Sequence, residues 1–127
     1  MRDLGSESGL AALRVLVVED EFLAAMDLQH LLSREGCTVL GPVPSVDRAL
    51  ELVEEDPPDA ALLDVNLGGQ RITPLAEHLR DRGIPFILVT GYQRAKLHEP
   101  VLRQAPRLGK PVQEGELVRE MTRAFLS

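Results

Sequence analysis

The stretch Ala60–Gly69, AALLDVNLGG, limits the fold of this chain more than any other. Four apolar residues run directly into the carboxylate of Asp64. A short apolar run without the alternation of a half-exposed strand fits a strand covered on both faces. The Gly68-Gly69 pair that follows fits a turn that is tight or leaves room for a ligand. Asp64 is therefore placed at the carboxyl end of a central strand, where open α/β sheets hold their ligands.

Other short runs end in the same way. Arg14–Val18 (RVLVV) reads as strand 1 and stops at Glu19-Asp20-Glu21. Cys37–Leu40 reads as strand 2, closed by Gly41-Pro42. Pro85–Val89 (PFILV) reads as strand 4 and leads into Thr90-Gly91-Tyr92; Arg107–Gly109 is a short strand 5 ending at Lys110-Pro111. Helical spacing fills the gaps. Helix 1 is expected over Phe22–Glu35, with Ala24, Leu28 and Leu31 facing in and Gly36 as its terminating residue. Glu21 suits the positive end of that helix. Ser45 is a good N-cap for a second helix carrying Val46, Ala49, Leu50 and Val53. Ile72, Leu75, Ala76 and Leu79 form the stripe of a third, and Leu117, Val118, Met121 and Phe125 that of a last helix over Glu114–Leu126. Gln93–Arg103 contains Pro100, which breaks a helix interior, so the fourth helix is expected to be short or irregular.

Five strands alternating with about five helices predict an α/β protein with a doubly wound parallel sheet. The flavodoxin-like order 2-1-3-4-5 suits five strands. It makes strands 1 and 3 neighbours across the switch point. It also brings Glu19, Asp20, Asp64, Thr90 and Lys110 to one edge of the sheet.

The 127 residues fit one domain, expected over residues 13–127 behind a loose Gly/Ser-rich tail at 1–12. A formal net charge of −6 argues against a nucleic-acid surface. No apolar run approaches the ~20 residues of a membrane span. Arg2 is not followed by the apolar stretch of a secretory signal. Cys37 is the only cysteine, which excludes an internal disulfide and fits a small core residue. A cytoplasmic location is expected. His30, His78 and His98 lack partners in the pattern and receive no role.

Three carboxylates in one crevice repel one another, and a divalent cation removes the repulsion. Oxygen ligands without histidine or thiolate point to Mg²⁺ rather than zinc. Lys96 and Lys110 are the only lysines, against twelve arginines. A lysine and a hydroxyl beside such a site suit a phosphoryl group, with a carboxylate able to attack its phosphorus.

At these residues the chain resembles the receiver domain of two-component response regulators. RVLVVEDE resembles the acidic-pair strand of that family, LLDVNLGG its phosphoacceptor strand, VTG its hydroxyl strand end and GKP its lysine–proline end. The resemblance covers Arg14–Leu126. It implies that Asp64 accepts a phosphoryl group from a phosphohistidine of a sensor histidine kinase or phosphotransfer protein. It implies that Asp20, Asp64 and the Asn66 carbonyl ligate Mg²⁺, with Glu19 acting through a metal-bound water. Thr90 and Lys110 would bind and sense the phosphoryl oxygens. Receivers usually carry an aromatic three residues before the lysine, where this chain has Arg107, and often Phe after Lys-Pro, where it has Val112. PFILVTGY also resembles the PFxFATGY signature of the "FAT GUY" single-domain receivers, with Leu88 and Val89 in place of Phe-Ala. That makes Tyr92, with Thr90, a switch candidate.

With no output domain after Ser127, such a module is expected to act by binding another protein or by relaying phosphoryl groups. Its partners would be the phosphodonor, a downstream protein and, as a homodimer, a second copy. No nucleic acid or membrane is expected among them. The alternative is a degenerate receiver that binds proteins without regard to phosphorylation. A Mg²⁺-dependent phosphatase of the haloacid-dehalogenase type ranks last. Its nucleophile belongs to a DxD pair ending strand 1, where this chain has VED, and no cap insertion is present. Turnover catalysis is thus not expected beyond self-catalysed phosphoryl acceptance and slow hydrolysis.

Overall fold

Ten elements alternate without exception in a computed structural model that describes residues 9–91, 97 and 99–126. They are β1 (Arg14–Val18), α1 (Phe22–Arg34), β2 (Thr38–Val43), α2 (Val46–Glu55), β3 (Ala60–Asp64), α3 (Thr73–Asp81), β4 (Phe86–Thr90), α4 (Pro100–Arg103), β5 (Arg107–Gly109) and α5 (Glu114–Phe125). The strands form one sheet in the order β2-β1-β3-β4-β5, each pair parallel. This is the expected flavodoxin-like fold.

Side chains of a strand alternate between its faces, and the two faces build two cores. Leu16, Val18, Ala61, Leu63 and Leu88 pack with Val46, Ala49 and Val53 of α2, Leu75, Ala76 and Leu79 of α3 and Leu102 of α4. Val15, Val17, Leu62, Ile87, Val89 and Leu108 pack with Leu28, Leu31 and Leu32 of α1 and Leu117 and Met121 of α5. All five residues of β3 are buried, as a central strand requires.

The structure corrects several details. The inward residue of the first turns of α1 is Ala25, while Ala24 is only half-buried. Val118 and Phe125 of α5 pack against the core without being buried in it. Strand β2 does not stop at Gly41-Pro42 but continues to Val43. Proline is tolerated there because β2 is an edge strand and the ladder is irregular: Leu16 pairs with Leu40, but Val18 pairs with Val43. Gly41 takes φ +92°, and a Cβ there would lie 2.8 Å from the Val43 nitrogen. Only glycine fits that bend. Strand β4 begins at Phe86 and includes Thr90. Helix α4 is a single turn, with Pro100 as its first residue rather than inside it.

Leu10 overturns part of the expected tail. It is 0 % exposed, joins the α1/α5 core, and its carbonyl accepts a hydrogen bond from Leu13. Leu10→Ala is expected to destabilise the fold by about 3 kcal/mol in urea unfolding, the ordinary cost of a core leucine truncation. A change below about 0.5 kcal/mol would return Leu10 to the tail.

Candidate functional site

The site lies where β1, β3, β4 and β5 end on the same edge of the sheet. Val18 pairs with Leu63, Asp64 with Val89 and Thr90 with Gly109. The residues that follow or occupy those positions are therefore neighbours. The bulge in β2 serves the same edge: the Val43 carbonyl accepts the Glu19 N–H at 3.0 Å and fixes the strand exit. The Lys110 N–H donates to the Thr90 carbonyl at 2.8 Å, so the end of β5 is tied to the end of β4.

Four of the expected site residues come together as charges. Glu19, Asp20 and Asp64 each offer a carboxylate oxygen, and these oxygens lie within 4.8 Å of one another. Glu19 and Asp64 are buried and Asp20 is exposed. Lys110 Nζ lies 3.0 Å from Glu19 Oε1 and 3.3 Å from Asp64 Oδ1. Asp64 Oδ1 also accepts the Asn66 N–H at 3.0 Å, and Glu19 Oε2 accepts the Glu21 N–H at 3.1 Å. Glu19 Oε1 meets the Lys110 ammonium in that ion pair and makes no further hydrogen bond among the described residues. Thr90 is buried at the end of β4, in the row next to Asp64. Tyr92 lies outside the described residues.

Charge in the site is out of balance. Burial pushes the Glu19 carboxyl above its ordinary value, the neighbouring Asp64 side chain adds to that, and the Glu21 N–H and Lys110 oppose it. Burial acts against the Lys110 ammonium, but the bond to Glu19 and the charge of Asp64 outweigh it and raise its pKa. Burial thus leads the Glu19 shift, and the two neighbouring carboxylates lead the Lys110 shift. The three close carboxylate oxygens and the absence of softer donors in this cluster fit a hard divalent cation. A cleft of about 370 Å³ opens on these groups and is bordered by Gly68. Gly68 has φ +54°, and a Cβ on it would lie 3.1 Å from Asp20 Oδ2. The glycine pair thus gives both a left-handed turn and space beside a carboxylate.

Glu21 has a role sharper than a favourable charge: its carboxylate accepts the Ala24 N–H at 2.8 Å and the Leu23 N–H at 3.2 Å as the N-cap of α1. Helical spacing does not single out Phe22 and Leu23, each 70 % exposed, and Met26, 49 % exposed. Their signal is positional, because they fall off the buried stripe of α1 at its site end. Thr90, Lys110, Glu19, Asp20 and Asp64 are where the topology argument puts them.

Comparison with known proteins agrees with this geometry. Residues 15–122 match the family model of the response regulator receiver domain, and the chain belongs to that family. Its fold is similar to the solution structure of SdrG from Sphingomonas melonis Fr1, with 41 % identity and a TM-score of 0.77. The match covers 87 % of this chain and 95 % of that one. In sequence it is 30 % identical over 133 residues to the phyllosphere-induced regulator PhyR of Methylorubrum extorquens, covering 98 % of this chain and 50 % of PhyR. It is 32 % identical over 87 residues to the transcriptional regulatory protein PdtaR of Mycobacterium tuberculosis, covering 68 % of this chain and 42 % of PdtaR. The chain thus spans half or less of the length of these two curated relatives. Receiver domains are signalling modules rather than turnover enzymes. Among the described residues no helix is long and apolar enough to cross a membrane.

The raised Glu19 pKa has a definite sign. Its contribution to stability is complete below the unfolded value of 4.5 and is lost as pH rises through the folded value. In metal-free buffer, wild type is therefore expected to lose stability relative to Glu19→Gln as pH goes from about 4.5 to 7. Urea unfolding with chelator present measures this, and parallel curves would reject the burial penalty on the Glu19 carboxylate.

Proposed function

We propose that this receiver accepts a phosphoryl group on Asp64 and signals through contacts with other proteins or by phosphorelay. The observation that carries the reading is the Lys110 ammonium, 3.3 Å from Asp64 Oδ1 in a cleft edged by two further carboxylates. An Asp64 oxygen attacks the phosphorus of a phosphohistidine on a sensor histidine kinase or phosphotransfer protein. The O–P bond forms as the P–N bond breaks, and the electron pair leaves with the imidazole nitrogen. Lys110 and the Thr90 hydroxyl donate to the phosphoryl oxygens, and the Asn66 N–H holds the Asp64 carboxylate in place. Glu19, Asp20, Asp64 and the Asn66 carbonyl would hold Mg²⁺. When bound, that ion neutralises the developing charge on the transferred group.

The donor has a surface to meet. Phe22, Leu23 and Met26 form an exposed apolar ridge on α1 beside the acceptor. One flank of the ridge is a groove of about 540 Å³ that runs from Leu23 to Val112, Lys110 and Glu19. The other reaches Pro42 and Pro44. Apolar ridges of this kind mark protein contacts. The net charge of −6 speaks against nucleic acid, and the reading places the module in the cytoplasm.

Incubation with acetyl phosphate and Mg²⁺ is expected to add one labile phosphate to wild type by intact mass and none to Asp64→Asn. No adduct on wild type, either from acetyl phosphate or from a phosphohistidine protein, would favour the phosphorylation-independent binding module. Leu23→Ser is expected to slow transfer from a phosphohistidine protein about tenfold more than transfer from acetyl phosphate, a loss of about 1.4 kcal/mol at the docking step. Equal slowing of both would remove α1 from the docking surface.

A further inference from the structure

Residues 65–72 join β3 to α3, and Asn66 and Gly68 of this loop border the cleft beside Asp64 and Asp20. Asn66 gives its N–H to Asp64 Oδ1 at 3.0 Å. The backbone of Gly68 stands close to the second carboxylate, since a Cβ there would lie 3.1 Å from Asp20 Oδ2. A small shift of the loop therefore changes the room around both acids. The loop contains a tight turn. Leu67 and Gln70 face each other in an antiparallel bridge, and the Gln70 N–H donates to the Leu67 carbonyl at 2.9 Å. Gly68 and Gly69 between them take φ of +54° and +88°, the left-handed values that a two-residue hairpin turn requires. A Cβ on Gly69 would meet nothing within 4 Å among the described residues, so the tip gains no hold from packing.

The turn is held at its feet instead. Leu67 is fully buried in the core that α2 and α3 share. Gln70 reaches across to α2, where its side-chain Oε1 accepts the Val46 N–H at 2.9 Å. Both partners need that bond. Val46 is the first residue of α2, and an N–H in that position has no partner inside the helix. Val46 is buried, so an unmet donor there is costly. Ser45 does not meet it, because its hydroxyl accepts the Arg48 N–H at 3.2 Å. We propose that Gln70 is a positioning residue: it hangs the Leu67–Gln70 turn from the start of α2 and so sets the spacing of the cation site. The anchor stands on the geometry. Its effect on the cation rests on the ligand set proposed above, Glu19, Asp20, Asp64 and the Asn66 carbonyl. Without the anchor the turn keeps Leu67 and swings about that foot, and the Asn66 carbonyl and the Gly68 backbone move with it.

Mg²⁺ titration by calorimetry tests this in wild type, Gln70→Met, Gln70→Glu and Ser45→Ala, with β1 and β3 amide exchange confirming the fold of each. Methionine keeps the length of glutamine and removes the acceptor, whereas glutamate keeps the acceptor. Gln70→Met is expected to bind Mg²⁺ about tenfold more weakly, the lower end of what losing a partner of a metal ligand costs. Gln70→Glu is expected to recover the wild-type affinity. Ser45→Ala weakens the same helix end without touching the turn, so it lowers the urea midpoint and leaves the Mg²⁺ affinity unchanged. Wild-type affinity in Gln70→Met overturns the proposal, as does a failure of Gln70→Glu to recover it. Equal losses in Gln70→Met and Ser45→Ala also overturn it and reduce Gln70 to a helix cap. If acetyl phosphate does not label Asp64 while these affinities separate as expected, the proposed function falls and the role of Gln70 stands. If wild type binds no Mg²⁺, the effect on the cation falls with that ligand set. Amide exchange in chelator then decides the anchor: residue 70 exchanging roughly tenfold faster in Gln70→Met upholds it, and equal exchange overturns it.

Discussion

The ion pairs of Lys110 with Glu19 and Asp64 hold together an arrangement that would otherwise repel. Two buried carboxylates share one edge of the sheet with a third that is exposed, and a single ammonium spans the buried two. Burying charges in this way is costly unless they are paired. The rest of the sheet edge can be understood as what makes the pairing reachable. The bulge at Gly41 sets the exit of β1, the Asn66 N–H orients Asp64, and the bond from Lys110 to Thr90 sets the exit of β5. One ammonium among three carboxylates does not balance the site. The imbalance makes a cation or a phosphoryl group with its cation chemically welcome there.

The fold was largely legible in the sequence, for a physical reason. Strands β1, β3 and β4 are covered on both faces, so burial alone forces unbroken apolar runs, and each run ends at a polar residue of the candidate site. The stripe of α3 is likewise the buried set, Leu75, Ala76 and Leu79, with Ile72 just before the helix. The site residues were legible through topology: once the strand order is fixed, the strand ends meet.

What escaped the pattern depends on contacts that no local spacing encodes. The choice of Ala25 over Ala24 in α1 turns on the angle at which that helix meets the sheet. The extension of β2 through Pro42 depends on its being an edge strand with an irregular ladder. Leu10 sits in a Gly/Ser-rich stretch and is core only because the chain folds it against α1 and α5. Arg107 stands out in the sequence by its departure from the family pattern, but its partners are backbone carbonyls of α4 that only the folded chain brings near.

The sheet also works as a partition. The apolar ridge of α1 belongs to the layer that α1 shares with α5, whereas α4 belongs to the opposite layer with α2 and α3. Events at Asp64, on the rim between them, are open to both layers. A protein seated on α1 leaves the α4 layer uncovered, so under the proposed function giving the signal and reading it would not be successive occupations of one surface. A donor and a reader would then compete for the state of Asp64 and not for space.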